Sequence, residues 1–359
     1  MIKTYEVYLI KLFLNKILNV SLIFLSLVII LSVFEEISFF KDLDMKIIFP
    51  FFMTLLNAPA TLFEIFPFVF LISGQFFFLD LINKNELEVF KIHSLDNLKI
   101  IKILFITSFI AGLFLISIYY SLSAKLKFVY LDLKNNYSND NKYLAVVTET
   151  GLWVKDEIDD KFYIVNALEI NDNLLNDVLI SEFDKEFNLI KIISADEVNI
   201  KNSKWIIIDP IISKDNQSKK INSNITLKTH FNKKKINSLF SNLSSLNIFE
   251  LVNLRKDYKS LGYSTIEIES QLNRIVSLPF YLSIMTLFSA VIMFNIKRNR
   301  PVIFHIILGI FLSVLIYYCY FLFNLLGESQ KIPLLLSVWL PLLILSIIIF
   351  IGLIRINEK

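Results

Sequence analysis

The residues able to do chemistry are few and scattered. Three histidines (His93, His230, His305) and a single cysteine, Cys319, lie far apart in the chain. That spacing excludes a Cys/His metal cluster and any internal disulfide. The seven glycines, at 74, 112, 151, 262, 309, 327 and 352, never cluster, and neither a G-x-x-x-x-G-K-[ST] nor a G-x-G-x-x-G run occurs. Nothing in the sequence can therefore cradle a nucleotide phosphate. No Ser/His/Asp set converges either. What remains is binding chemistry. Lys125, Lys127 and Lys134 offer point charges suited to anionic head-group phosphates, and Arg274 offers the same beside Asn273. Solvation, or anchoring of a helix end, is the plainer role for each. The stretch from Asn83 to Asp96 carries Leu87, Val89, Phe90 and Ile92 among Glu86, Glu88, Lys91 and His93. A short helix there would present apolar anchors with charged flanks to a groove on a soluble partner. An ordinary solvated connection fits the same residues.

The elements that must position these groups are membrane spans. Of the 359 residues, 55% are hydrophobic and only 19% charged, with 34 Phe and a mean hydropathy of +0.60. A soluble domain is nearer 45–50% apolar. A span needs about 20 mostly apolar residues, and six stretches qualify: Ile17–Phe34, Leu62–Leu81, Ile100–Ser121, Ile275–Ile296, Val302–Leu326 and Leu334–Ile354. The first lacks a small-residue cleavage site and is not read as a signal peptide. Before it, Tyr5, Tyr8, Leu9, Leu12 and Phe13 recur at helical spacing, as in a helix lying at the interface before turning inward. Lys16 suits snorkelling at that end.

Charge sets the orientation. Lys3, Lys11, Lys16, Lys84, Lys91, Lys99, Lys297, Arg298, Arg300, Arg355 and Lys359 fall on one side. The short loops opposite hold only Lys41, Lys46 and Lys331. The positive-inside rule makes both termini cytoplasmic and puts the segment after span three outside. The net charge of +3 is too mild to suggest nucleic acid.

The expected organisation is a six-span, 3+3 α-helical polytopic membrane protein with an inserted all-β domain. Residues 1–121 hold the interfacial helix and three spans, with a cytoplasmic helix near 84–95. Residues 122–245 form the β domain, 246–274 two return helices, and 275–359 the last three spans. Strand-like runs appear at Tyr143–Thr148, Leu152–Lys155, Phe162–Ala167, Val178–Phe183, Leu189–Ser194, Val198–Ile200, Trp205–Ile212 and Ile225–Lys228, between Asn/Asp/Gly/Lys turn signals. Lys204-Trp205-Ile206-Ile207-Ile208-Asp209-Pro210 reads as a buried strand stopped by proline. A helix over Ser245–Ser260 ends near Gly262, and Ser264-Thr265-Ile266-Glu267 has the pattern of a capping box opening the next.

Several stretches resemble the lipopolysaccharide-export ABC permeases of the LptF/LptG family. Leu55-Leu56-Asn57-Ala58-Pro59 followed by Phe66-Pro67-Phe68 resembles that family's approach to span two. Asn85-Glu86-Leu87-Glu88-Val89-Phe90 resembles its coupling helix. Gly151-Leu152-Trp153-Val154-Lys155-Asp156, then Phe162-Tyr163-Ile164, resembles the opening of its β domain and favours the LptG branch over LptF. The resemblance covers essentially the whole chain. It departs at Ser94, where relatives commonly have Gly, and at Glu35 and Glu36, where they often have a phosphate-holding lysine.

The resemblance implies a periplasmic jellyroll-like insert in an inner-membrane protein of a Gram-negative bacterium. It implies one of two permease subunits that extract lipopolysaccharide and pass it toward the outer membrane, doing no chemistry themselves. Expected partners are an LptB-like ATPase dimer, which would bind the ATP and Mg, an LptF-like sister permease, a single-span LptC-like protein and an LptA-like periplasmic bridge. Glu86, Leu87, Glu88, Val89, Phe90 and His93 would meet the ATPase. Phe24, Leu25, Phe304, Phe311, Tyr317 and Phe321 would wall an acyl-chain cavity, packing against neighbouring helices being the alternative. A membrane-anchored scaffold whose β insert binds periplasmic partners is the competing function. A lipid-modifying enzyme would need convergent acid and base groups at one membrane face, which the sequence does not offer.

Overall fold

The computed structural model describes residues 3–41, 46–93, 95–135, 137, 152–158, 161–171, 173–214, 217–221, 223–233, 236, 242–260, 263–294 and 302–357. The chain divides into a membrane unit, residues 1–127 and 266–359, and an inserted unit, residues 128–265.

The membrane unit is built from α1 (Thr4–Phe39), α2 (Ile48–Asn83), α3 (Glu86–Ile92), α4 (Asn97–Phe114), α7 (Ile266–Phe294), α8 (Val302–Glu328) and α9 (Leu334–Asn357). Among the described residues, six helices are long and apolar enough to cross a bilayer, each containing one of the expected spans or nearly all of it. The stretch read as a separate interfacial segment runs without a break into span one, because residues 4–39 hold no Gly or Pro to turn it. Likewise α4 continues through a π-helical turn, Leu115–Tyr119, into α5 (Tyr120–Asn135), so helix persists past residue 122.

Two helices form the centre. The apolar windows of α2 and α7 are 67% and 72% buried, against 11% for α1 and for α8. Lipid tails are as apolar as leucine, so helix association here depends on close packing and interhelical hydrogen bonds. The buried faces show both. A Cβ on Gly112 would lie 2.7 Å from Pro279 Cα, and one on Gly74 would overlap the Ser289 side chain. Ser108 Oγ lies 2.9 Å from Thr286 Oγ1, and Gln75 Nε2 donates to the His305 carbonyl at 2.8 Å. Phe13, Phe70, Phe77 and Phe78 fill the space between with edge-to-face contacts, Phe13 to Phe77 at 5.8 Å.

The inserted unit contains β1 (Leu152–Ile158), β2 (Lys161–Asn171), β3 (Leu174–Phe183), β4 (Leu189–Asn199), β5 (Lys204–Ile208), β6 (Ile211–Lys214), β7 (Gln217–Lys220), β8 (Ile225–Lys228) and the helix α6 (Ile248–Ser260). The strands form one antiparallel sheet, ordered β1-β2-β3-β4-β5-β8, with β6 on β4 and β7 on β6, curled as a half-barrel. Alternation does the folding: along β1, Leu152, Val154 and Asp156 turn inward while Trp153, Lys155 and Glu157 face out. Buried Val165, Leu175, Ile180, Val198, Trp205 and Ile207 complete the core, with Trp205 Nε1 donating to the Phe231 carbonyl at 2.9 Å.

Three runs differ from expectation. Leu189–Ser194 and Val198–Ile200 fuse into β4. The run Trp205–Ile212 splits at Asp209-Pro210, where Asp209 adopts φ 43° and proline cannot join the ladder. The halves then pair with different parts of β4, β5 with residues 197–199 and β6 with residues 192–194. The run Tyr143–Thr148 lies outside the described residues.

Candidate functional site

The short helix α3 follows α2 through Asn85, which takes φ 56°, a left-handed conformation asparagine tolerates. Its side chains divide into two faces. Leu87 and Phe90 are partly buried and pack on the hydrophobic centre of the membrane unit. Val89 and Ile92 are 49% and 79% exposed, and Glu88 and His93 are exposed beside them. Glu86 sits at the edge, both its carboxylate oxygens accepting from the Tyr8 hydroxyl at 2.9 and 2.8 Å. Tyr8 therefore positions the glutamate, a contact no local spacing could reveal. Lys16 pairs with Asp80 at 2.6 Å near the same end of α2.

The candidate head-group cations have separate surroundings. On α5, Lys125 is exposed and Lys127 partly buried. Lys134 is buried, its Nζ 2.7 Å from the Tyr130 hydroxyl and over that ring. Arg274 is partly buried on α7. Glu36 is buried at the end of α1.

Of the cavity candidates, Phe304, Phe311 and Phe321 stand exposed on α8. Tyr317 leans on α2, its ring 5.5 Å from Phe68. Phe24 and Leu25 on α1 are partly buried against the centre of the unit.

The β-domain motif proves to be a latch. Gly151 lies outside the described residues, Leu152 is buried and Trp153 exposed. Lys155 Nζ sits over the stacked rings of Phe162 and Phe187, and the Lys155 amide donates to the Tyr263 hydroxyl at 2.9 Å. Asp156, 3% exposed, accepts from Thr229 Oγ1 at 2.7 Å and from the His230 amide at 2.9 Å, and lies 2.8 Å from His230 Nδ1. It ties β1 to the segment after β8. A second inward carboxylate, Glu182, meets Lys161 at 2.8 Å and Lys191 at 3.0 Å. Burial pushes Glu182 upward, but hydrogen bonds from both lysines outweigh it and hold the carboxyl below the usual range.

These features define a class: a polytopic helical membrane protein with an all-β unit inserted between its third and fourth spans. Within it, the chain belongs to the LptF/LptG family. The family described as lipopolysaccharide export system permease LptF/LptG matches residues 7–355, both branches together. No curated protein matches the chain. It is a multi-pass inner-membrane protein of a lipopolysaccharide export permease family.

Proposed function

We propose that the chain is one permease subunit of an ABC exporter, with both termini cytoplasmic and residues 128–265 periplasmic. It extracts lipopolysaccharide from the membrane and hands it through the inserted sheet to a periplasmic bridge. A separate ATPase dimer holds ATP and Mg and drives the cycle through α3. The Gly-Leu-Trp stretch at 151–153 favours the LptG side of a pair whose other member is LptF-like, with an LptC-like protein attached.

The observation that carries this reading is the uneven burial of the spans. The family match covers nearly all of the membrane unit, residues 7–355 of the chain, yet α1 and α8 leave most of their apolar windows uncovered by their own chain. A sister permease and a lipid-filled cavity between the two would cover them. On α3, Glu88, Val89, Ile92 and His93 form the outward set for an ATPase groove, while Leu87 and Phe90 hold the helix to its own subunit. The main path of the sheet ends in β1 and β8 and its branch in β7, and among the described residues β1 and β8 each pair on one side only. Either edge can extend a partner's sheet.

The test is affinity purification of the tagged protein from its own membranes, with partners identified by mass spectrometry. Recovery of a second six-span permease and a soluble ABC ATPase is expected, and Val89→Asp or Glu86→Lys should strip the ATPase alone. Recovery with periplasmic proteins only, or unchanged ATPase recovery in both variants, would replace this reading with the scaffold. Photocrosslinkers in Ile225–Lys228 and in β1 should capture a periplasmic β protein; silence at both edges would remove the handover step.

A further inference from the structure

A cavity of about 380 Å³ opens between α7, α8 and α9, lined by Tyr281, Phe288, Leu312, Ile316, Tyr320 and Leu345 among others. Small-ligand pockets run roughly 300–1,000 Å³. Its α8 wall, from Leu312 to Phe323, rises about 16 Å. That matches one leaflet's hydrocarbon depth, about 15 Å or half of a roughly 30 Å core. The cavity straddles the middle of the helices, its lining running from Leu312 to Phe323 on α8 and from Pro341 to Ile348 on α9. Pro341 in α9 belongs to the lining and removes one helical hydrogen bond there.

The cavity is apolar except at one end. Tyr281 lines it there, 4% exposed, and its hydroxyl has no hydrogen-bond partner among the described residues. Buried hydroxyls are nearly always satisfied, so this one calls for an acceptor. Its ring stands 5.0 Å from that of Tyr320, whose hydroxyl is 3.2 Å from Ser277 Oγ. One turn beyond Tyr320, the buried Asn324 leaves its Oδ1 equally unpartnered. Two turns beyond Tyr281 on the same face of α7, about 10 Å along the axis, comes Arg274.

The order along the helices is thus cation, then hydroxyls and amide, then apolar slot. We propose that this cavity houses one acyl chain of a resident glycerophospholipid. Arg274 meets its phosphate, the Tyr281 hydroxyl donates to its ester carbonyl, and Asn324 Oδ1 accepts from the head group. On α8 the slot takes the face of Leu312, Ile316 and Tyr320, beside the exposed stripe Phe304, Phe311 and Tyr318. None of the residues assigned above to the transported lipid lines it, and it stands whichever lipid is moved.

The test reconstitutes the full chain in phosphatidylethanolamine vesicles containing phosphatidylglycerol with a diazirine on its acyl chain. After irradiation, adducts are mapped by peptide mass spectrometry. Wild type should label at 312–323 and 342–348, up to one adduct per chain. Leu345→Trp, which fills the slot, should abolish these adducts; Ile347→Trp, on the outward face of α9, should not. Tyr281→Phe keeps the shape and should weaken labelling about threefold to tenfold, the worth of one hydrogen bond. That variant decides the matter should Leu345→Trp fail to fold. Labelling spread evenly over outward faces and unmoved by Leu345→Trp or Tyr281→Phe would show annular lipid only. Displacement by excess lipopolysaccharide would assign the slot to the transported lipid. Either result overturns the proposal.

Discussion

The membrane unit and the inserted unit close their interiors by different means. In the membrane unit the tight places are Gly112 against Pro279, Gly74 against Ser289, and hydroxyl contacts such as Ser108 to Thr286. In the inserted unit an apolar core of Val, Leu, Ile and Trp is crossed by two inward carboxylates, Asp156 and Glu182, each fully engaged. The difference follows from the solvent. Water supplies a hydrophobic drive to a sheet and leaves polar groups free to specify its closure. Lipid supplies none between helices, so steric fit takes over. Shape should be the sensitive variable in one unit and charge in the other.

The largest effect is expected at Gly112→Leu. Its first added carbon meets the backbone of Pro279 rather than a movable side-chain end. Overpacking of this kind costs about 1–3 kcal/mol, and a rigid neighbour puts this site at the upper end. The midpoint of thermal unfolding in detergent, read on Trp339 of α9, should fall by several degrees. If it does not, α4 and α7 are not closed by steric fit. In the inserted unit, Asp156→Ala should cost about 2–3 kcal/mol, because the Thr229 hydroxyl and the His230 amide both lose their acceptor. The reading is fluorescence of the buried Trp205 in a Trp153→Phe, Trp339→Phe background. Asp156→Asn keeps one acceptor oxygen and should lose less; a loss equal to that of Asp156→Ala would mean that the latch depends on the charge and not on that one acceptor.

The spans were legible because a run of about 20 apolar residues has few other meanings. The helical extension beyond span three was not. Hydropathy stops reporting where α5 becomes polar, although helical geometry continues to Asn135. Strand alternation was legible through β1 to β5, whereas the wholly exposed β7 carries no inward residue to betray it. At the candidate sites, sequence could name Glu86 and Asp156 but not their partners. Tyr8 lies 78 residues from Glu86, and Thr229 lies 73 from Asp156. Nor could a seven-residue helix say which of its apolar residues face inward. In α3 that division, Leu87 and Phe90 inward with Val89 and Ile92 outward, is decided by tertiary packing.

A smaller effect separates the two units by pH. Glu182 has its carboxyl held below the ordinary value of about 4.3 by Lys161 and Lys191. A depressed folded value means the contribution is fully present above the ordinary one and is lost as pH falls through the folded one. Because both lysines remain partly exposed, the gain is about 1 kcal/mol or less. Glu182→Gln should flatten the acid limb of the Trp205 transition and leave its neutral plateau only slightly lowered. An acid limb unchanged by this substitution would place the sensitivity elsewhere in the sheet.

The smallest effect on stability is the most informative about function. Phe311 on α8 is 61% exposed and touches little of its own chain. Removing such a side chain usually moves stability by no more than about 0.5 kcal/mol, so Phe311→Ala should leave the detergent unfolding midpoint unchanged. If α8 faces a sister subunit and the carried lipid, the same variant should reduce lipopolysaccharide-stimulated ATP hydrolysis by the purified complex. Phe294, partly buried on α7 with its ring 5.0 Å from Phe78, supplies the contrast. Phe294→Ala should lower the midpoint and reduce turnover only in proportion. A Phe311→Ala complex that hydrolyses normally would return α8 to the role of a lipid-facing helix, and the two uncovered spans would need another occupant.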